Sequence, residues 1–163
     1  MLEEKEGWYV VNVKDSRWFG HPDFGRRCMF EKQDRFPHTG INLCVIEPGQ
    51  PACRYHRENA QEDFLVLSGE CLLLVNGEEK PLEAWDYVHC PPGVSHVFVG
   101  AGDGPCVILM IGHRPEKHEL FYPHAEVARR HGAQAPQPTP DPRVAYGDIS
   151  PRQDIDAPEW PID

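Results

Sequence analysis

Tyr55-His-Arg-Glu-Asn-Ala-Gln-Glu-Asp63 and Pro91-Pro-Gly-Val-Ser-His96 decide how this chain is read. The first segment carries His56, Glu58 and Glu62, the second carries His96, and strand-like sequence surrounds both. Imidazoles and carboxylates hold divalent metals and can leave coordination positions open for a substrate. Side chains alternate along a strand, so His56 and Glu58 face the same way if their segment is extended. Glu62 opens the run Asp63–Leu67 and shares a face with Phe64 and Val66. His96 follows a Pro-Pro-Gly-Val-Ser turn that presents it at the start of Val97–Val99. If the four converge, the chain has a reactive centre. If they do not, they are the structural or solvated residues of an ordinary small β protein.

Outward from these segments, residues 8 to 112 read as β throughout. Short apolar or alternating runs recur at Trp8–Val13, Gly40–Ile46, Asp63–Leu67, Cys71–Val75, Tyr87–Cys90, Val94–Val99 and Cys106–Ile111. Turn signals separate them, among them Glu47-Pro-Gly49, Ser68-Gly69, Asn76-Gly77 and Pro91-Pro-Gly93. Asn76-Gly77 is the strongest hairpin signal, because a type I′ turn needs positive φ at both central positions. Many closely spaced short strands indicate a sandwich or barrel. One helix is expected over about Pro123–His131, with proline near its start and Gly132 just beyond its end. Residues 133–163 form a proline-rich acidic arm, expected to be extended and without regular structure. Such composition reads as a tail, yet Val144, Tyr146, Ile155, Trp160 and Ile162 are each able to dock on a surface.

Composition narrows the partners. A chain of 163 residues is one domain's length, and it carries a net charge of −10. That charge argues against nucleic acid and against an anionic membrane surface, both of which require clustered Lys and Arg. Small molecules or other proteins remain as partners. The N-terminal Met-Leu-Glu-Glu-Lys-Glu is acidic where a signal peptide is basic, and no apolar run is long enough to span a bilayer. Six cysteines stand singly with no Cys-x-x-Cys pair, and most lie in apolar runs, as buried reduced thiols do. A cytoplasmic location is therefore expected.

Together the two segments resemble the motifs of the cupin superfamily. The first family motif runs Gly, five residues, His-x-His, three or four residues, Glu, six residues, Gly; here it stands as Gly49, six residues, His56-x-Glu58, three residues, Glu62, six residues, Gly69. The second runs Gly, five residues, Pro-x-Gly, two residues, His, three residues, Asn; here it stands as Trp85, five residues, Pro91-x-Gly93, two residues, His96, three residues, Gly100. The resemblance covers about residues 40–112. It implies an all-β, cupin-type jelly-roll barrel (a double-stranded β-helix), one domain over residues 1–132, followed by the short helix and the arm.

Three departures stand out: Glu58 for the family's second His, Trp85 for a Gly and Gly100 for an Asn. The resemblance implies His56, Glu62 and His96 as metal ligands for Fe, Mn, Zn or Ni, with Glu58 as a fourth ligand, a hydrogen-bond partner of the ligands or a catalytic acid/base. Cupin barrels without metal also fall within the resemblance. Arg54 shares the His56 face by strand parity, and either clamps a substrate carboxylate or pairs with Glu58 or Glu62. Phe64, Phe98 and Trp85 supply an apolar pocket wall or simply core. Cys53 and Cys90 are read as packing residues, and the other seven histidines as structural or exposed. The function expected is a metal-dependent enzyme of oxygenase or isomerase type acting on a small molecule. The alternative is a barrel that binds a sugar or carboxylate without catalysis. Edge pairing through Trp8–Val13 or the arm predicts a homodimer.

Overall fold

The computed structural model describes residues 3–5, 7–160 and 162. Fourteen strands dominate it: β1 (Glu3–Lys5), β2 (Trp8–Val10), β3 (Arg17–His21), β4 (Gly25–Met29), β5 (Thr39–Ile46), β6 (Arg57–Glu58), β7 (Glu62–Ser68), β8 (Glu70–Val75), β9 (Glu78–Glu83), β10 (Tyr87–Cys90), β11 (His96–Ala101), β12 (Cys106–His113), β13 (Leu120–Phe121) and β14 (Gln153–Ile155). Two short helices, α1 (Glu126–Arg130) and α2 (Pro142–Ala145), lie between β13 and β14. A seven-stranded antiparallel sheet runs β10-β7-β12-β5-β4-β3-β14, and a three-stranded sheet runs β11-β8-β9. β6 pairs with β13, and β1 with β2.

Strand alternation explains how the sheets close on each other. On β5, Cys44 and Ile46 turn inward to meet Phe64, Val66, Ile108 and Met110 of the same sheet and Cys71, Leu73 and Phe98 of the smaller one. Leu43 and Val45 turn outward, where Trp18, Cys28 and Val107 join them under Val13, Ala157, Trp160 and Ile162. The outer face of the small sheet is covered by α1, with Val127, Ala128 and Ala133 on Leu74, Val97 and Val99. The central strands β5, β8, β11 and β12 are thus covered on both faces, which is why they read as nearly continuous apolar runs.

Asn76 (φ 46) and Gly77 (φ 86) occupy the two left-handed positions of the β8–β9 turn. The run Trp8–Val13 divides into β2 and a 3₁₀ turn at Val13–Asp15 capped by Asn12. The helix expected over Pro123–His131 is shorter, beginning at Glu126, because Ala125 is extended and provides no side-chain cap.

The arm differs most from its expectation. Asp141 caps α2 by accepting from the Arg143 amide, with Pro142 in the first turn. Beyond it, β14 pairs with Trp18, Phe19 and Gly20 of β3, and Arg17 holds Asp154 at 2.8 Å. Gln-Asp-Ile is exposed throughout and has no apolar alternation, so nothing in its sequence marks a strand; backbone pairing with β3 makes it one.

Trp85 has φ 78 and is 73% exposed in the β9–β10 turn, so it forms no part of a pocket wall. A bulky residue in this region stores about 1–3 kcal/mol of strain, and an exposed indole returns little by burial. Trp85→Gly is expected to stabilise the fold by about 1 kcal/mol, raising the melting temperature by roughly 2–4 °C. An unchanged or lower melting temperature would show that the turn carries no net strain.

Candidate metal centre

The two motif segments meet backbone to backbone. His56 and His96 lie opposite one another and exchange both hydrogen bonds, the His56 amide to the His96 carbonyl at 3.2 Å and the reverse at 2.8 Å. The Gly93 amide of the proline turn donates to the Glu58 carbonyl at 2.8 Å, tying the second motif to β6. Glu62 begins β7, level with Gly112 on β12 and Cys90 on β10. One coordinating atom from each of His56, Glu62 and His96 can be chosen so that all three lie within 4.8 Å of one another. Donors that share one ion at about 2.0–2.2 Å lie roughly 3–3.5 Å apart, so the three would close on an ion by a shift of about an ångström.

The outer nitrogens of the two imidazoles are already committed. His56 Nδ1 is 2.8 Å from the Arg54 carbonyl, and His96 Nδ1 is 3.0 Å from the Val94 carbonyl. An Nδ1–H donated to a carbonyl leaves Nε2 as the coordinating nitrogen and fixes the ring's orientation. Both Nε2 atoms point at carboxylates: His56 at Glu58 Oε1 (3.3 Å) and His96 at Glu62 Oε2 (3.2 Å). Two nitrogens and a carboxylate, held from behind and open in front, fit a divalent cation.

The charges in the site are strained in a way that a cation relieves. Burial, reinforced by the Glu58 charge, pushes the Glu62 carboxyl up to about 7 against the pull of His56 and Arg27. Burial and the charge of His56 push His96 down to about 4. Burial works against a charged His56, but Cys53, Glu58 and Glu62 overcome it and hold its pKa well above the usual imidazole range. For Glu58, burial is likewise overcome by hydrogen bonds and charge from His56 and His118, which hold it down to about 2. Without metal, then, Glu62 keeps a proton to near neutrality and His56 carries one; a cation must displace both. Metal affinity is expected to fall at least tenfold per pH unit below about 7. Competition with a chelator between pH 5.5 and 8.5 measures this, and a flat profile would contradict the assigned ligands.

Glu58 stands outside the three-residue group. Its Oε2 is 2.8 Å from His118 Nε2, a contact that pairing of β6 with β13 (Leu120 opposite Glu58) makes possible. Asn59 steadies the loop that carries His118. Its side chain donates to the Lys117 carbonyl at 2.9 Å and accepts from the Glu119 amide at 2.8 Å. His118, read from sequence as structural or exposed, is exposed, and it also borders the cavity and bonds Glu58 sixty positions away.

A cavity of about 1260 Å³ opens in front of the group. Phe64 and Phe98 border it with their rings 4.7 Å apart, while also packing into the core between the sheets. Cys53, read as a packing residue, also reaches the wall, its sulfur 3.7 Å from His56 Nδ1. Cys90 is buried in the core. Tyr122, with its ring centroid 5.9 Å from that of His56, lines the cavity as well.

Arg54 lies elsewhere. It pairs with neither Glu58 nor Glu62 and does not border the cavity: its guanidinium holds Asp148 at 2.8 and 2.9 Å and the Gln134 carbonyl at 2.7 Å. Residues 54 and 55 belong to no strand, so the alternation of β6 does not extend back to position 54. His89, the histidine nearest the second motif, bonds Asp63 on the exposed side of β10.

Residues 42–112 match the family model of the cupin domain. This stretch is a cupin domain, within an all-β fold of jelly-roll type. Among solved structures the chain is similar to a candidate sugar phosphate isomerase from Acidithiobacillus ferrooxidans, with 33% identity and a TM-score of 0.50, over 53% of this chain and 56% of that one. The match thus spans little more than half of that relative. It is also similar to a sugar phosphate isomerase of the cupin superfamily from Silicibacter pomeroyi (24% identity, 70% and 69% coverage, TM-score 0.55). A predicted oxalate decarboxylase from Thermotoga maritima (17% identity, 65% and 99% coverage, TM-score 0.59) shares the fold. No curated protein matches the sequence. No helix among the described residues is long and apolar enough to cross a membrane.

Proposed function

We propose that the chain is a divalent-metal enzyme of isomerase type that moves a proton on a small, oxygen-rich substrate. His56, Glu62 and His96 hold the ion, and Glu58 is the acid/base. The observation that supports this most is Glu58 itself: an ionised carboxylate beside the ligand group, anchored through Oε2 to His118 and facing an open cavity. Bound there, a divalent ion acts as a Lewis acid on the oxygens of a hydroxy-carbonyl substrate. With its 3.3 Å contact to His56 Nε2 given up to an ion, Glu58 Oε1 would be free to take a proton from the carbon beside the carbonyl and return it to the neighbouring one. His118 holds the other oxygen in place, and Phe64 and Phe98 keep water from that side. The 33% identical relative named as a candidate sugar phosphate isomerase points to the same reaction class.

Glu58→Gln tests the assignment, because it keeps the shape and removes the base. With a panel of small aldoses, ketoses and their phosphates in D₂O, the metal-loaded wild type is expected to incorporate deuterium beside the carbonyl of at least one. The variant should keep its metal and lose about 10²–10⁴-fold in rate. Loss of metal in the variant would make Glu58 a ligand instead. No exchange with any panel member would favour a barrel that binds its ligand without turnover.

We also assign the chain to the cytoplasm, in line with six free thiols, and to a homodimer. The edge strand β10 supports the dimer, with Tyr87 63% exposed beside Trp85. A monomeric mass by sedimentation at micromolar concentration would overturn it.

A further inference from the structure

The cavity gathers arginines in an acidic protein, with Glu58, Glu62 and Glu116 also on its wall. Of the chain's eleven arginines, Arg27, Arg35, Arg114 and Arg152 all border it. They are not equivalent. Arg114 is paired with Glu31, and Arg35 lies at the exposed rim within the electrostatic reach of the same carboxylate. Arg27 and Arg152 have no carboxylate within ion-pair distance among the described residues.

The origin of this pair is local. In Gly25-Arg-Arg-Cys-Met29, alternation sends two adjacent arginines to opposite faces of β4. Arg26 goes outward and finds Glu47 at 2.8 Å. Arg27 goes inward with Gly25 and Met29, level with Phe19 on β3 and Cys44 on β5. Inside, its guanidinium reaches only neutral and distant acceptors: the Ala52 carbonyl at 3.3 Å, Asn42 Oδ1 at 3.5 Å and Met110 Sδ at 3.7 Å. A guanidinium offers five N–H donors in a planar fork, and these contacts satisfy few of them well.

Arg152 comes from the arm, just before β14, and lies over the Phe19 ring at 4.0 Å. Phe19 is the register partner of Arg27, and the two cations are near enough to repel each other. Tyr146 completes the set. Its hydroxyl oxygen accepts the Arg54 amide at 3.0 Å, which leaves its O–H free to donate into the cavity it lines. Two uncompensated cations and a hydroxyl donor, all facing one space, match an anion with two charges and several acceptor oxygens.

We propose that Arg27, Arg152 and the Tyr146 hydroxyl form a subsite for the phosphate group of a small phosphate monoester, whose hydroxy-carbonyl end reaches the His56, Glu62 and His96 group. The proposal rests on the metal-enzyme reading and names its substrate class. A monoester carries nearly two negative charges and three acceptor oxygens at neutral pH, whereas a carboxylate would leave one guanidinium without a counter-charge. Spacing agrees. Arg27 is three strands from Glu62 in the order β7-β12-β5-β4 and level with Val66, four residues along β7 from it, so the two backbone positions are roughly 19 Å apart on a flat sheet. Curvature of the sheet shortens that span, and Glu62 feels the Arg27 charge across it. The subsite also gives the C-terminal arm a task, since Tyr146 and Arg152 both belong to it.

Inorganic phosphate is the probe, with metal-depleted full-length protein, so that coordination to an ion plays no part. Phosphate should raise the melting temperature saturably relative to sodium chloride of equal ionic strength, by roughly 3–6 °C at ten times its dissociation constant. Arg152→Met, on the exposed arm where folding is not at risk, should weaken the apparent affinity at least tenfold. Arg27→Met should abolish the effect and Arg27→Lys should retain part of it. His96→Ala, which loses the metal ligand but not the subsite, should respond to phosphate as the wild type does. No saturable response in the wild type, an undiminished response in Arg152→Met, or loss of the response in His96→Ala would each overturn the proposal. An equal response to acetate would overturn the phosphate assignment. The metal reading is judged separately by metal content: phosphate binding without metal binding would refute that reading and leave the subsite, and the converse would refute the subsite alone.

Discussion

His96→Ala is expected to leave the protein with less than about a tenth of an equivalent of divalent metal and without activity. His96 is 2% exposed, its Nδ1 is fixed on the Val94 carbonyl, and its Nε2 is one of three donors gathered within 4.8 Å. Removing even a partner behind a ligand costs 10–100-fold in metal affinity, and removing the ligand itself costs more, so roughly 100-fold or greater is expected. The substitution also leaves a void beside Phe64, whose ring centroid is 5.4 Å from that of His96. Glu62→Gln serves as the second variant, because it preserves volume while removing the charge. Elemental analysis of both, with folding checked by circular dichroism, gives the result. Normal metal content in both variants would place the ion elsewhere.

Gly100→Ala should unfold much of the protein at moderate temperature. A Cβ at this position would lie 2.1 Å from the Glu47 carbonyl oxygen and 2.7 Å from its carbon, both backbone atoms that cannot swing aside. The same residue is held on both sides, its amide donating to Gln50 at 2.9 Å and its carbonyl accepting from Gly49 at 2.8 Å. A methyl group there must break this junction between the β5–β6 connection and β11. The expected cost is about 3–5 kcal/mol, a fall of roughly 10 °C in melting temperature. Gly104→Ala is the control, since a Cβ there meets nothing within 4 Å. Equal melting temperatures for the two variants would refute the steric account. The same contact explains why this chain departs from the cupin pattern at position 100: an Asn side chain has no room.

What was legible in the sequence was whatever is encoded locally. Asn76-Gly77 dictates a left-handed turn pair, and the apolar runs on either side dictate strands. His56, Glu62 and His96 could be read because each sits at a fixed offset from a turn, and the turn sets where its side chain starts. Contacts made across the fold could not be read. His118 reaches Glu58 only because β13 pairs with β6. Arg26 and Arg27 are identical neighbours whose separate fates depend on which face of β4 is inside. Arg54 lies just outside the strand, where alternation no longer predicts direction. β14 owes its existence to the free edge of β3 and not to its own residues. Cis docking of the arm also places Asp148 against Arg54 and Arg152 over Phe19, so the tail is part of the cavity wall.

The most direct test is anomalous diffraction from crystals of the metal-loaded protein at the absorption edge of the bound element. One strong peak is expected in the cavity, about 2.0–2.2 Å from His56 Nε2, His96 Nε2 and a Glu62 carboxylate oxygen, with Glu58 on His118 and not on the ion. A peak held by Glu58 and His118, or metal-loaded crystals with no peak at the three residues, would contradict that assignment.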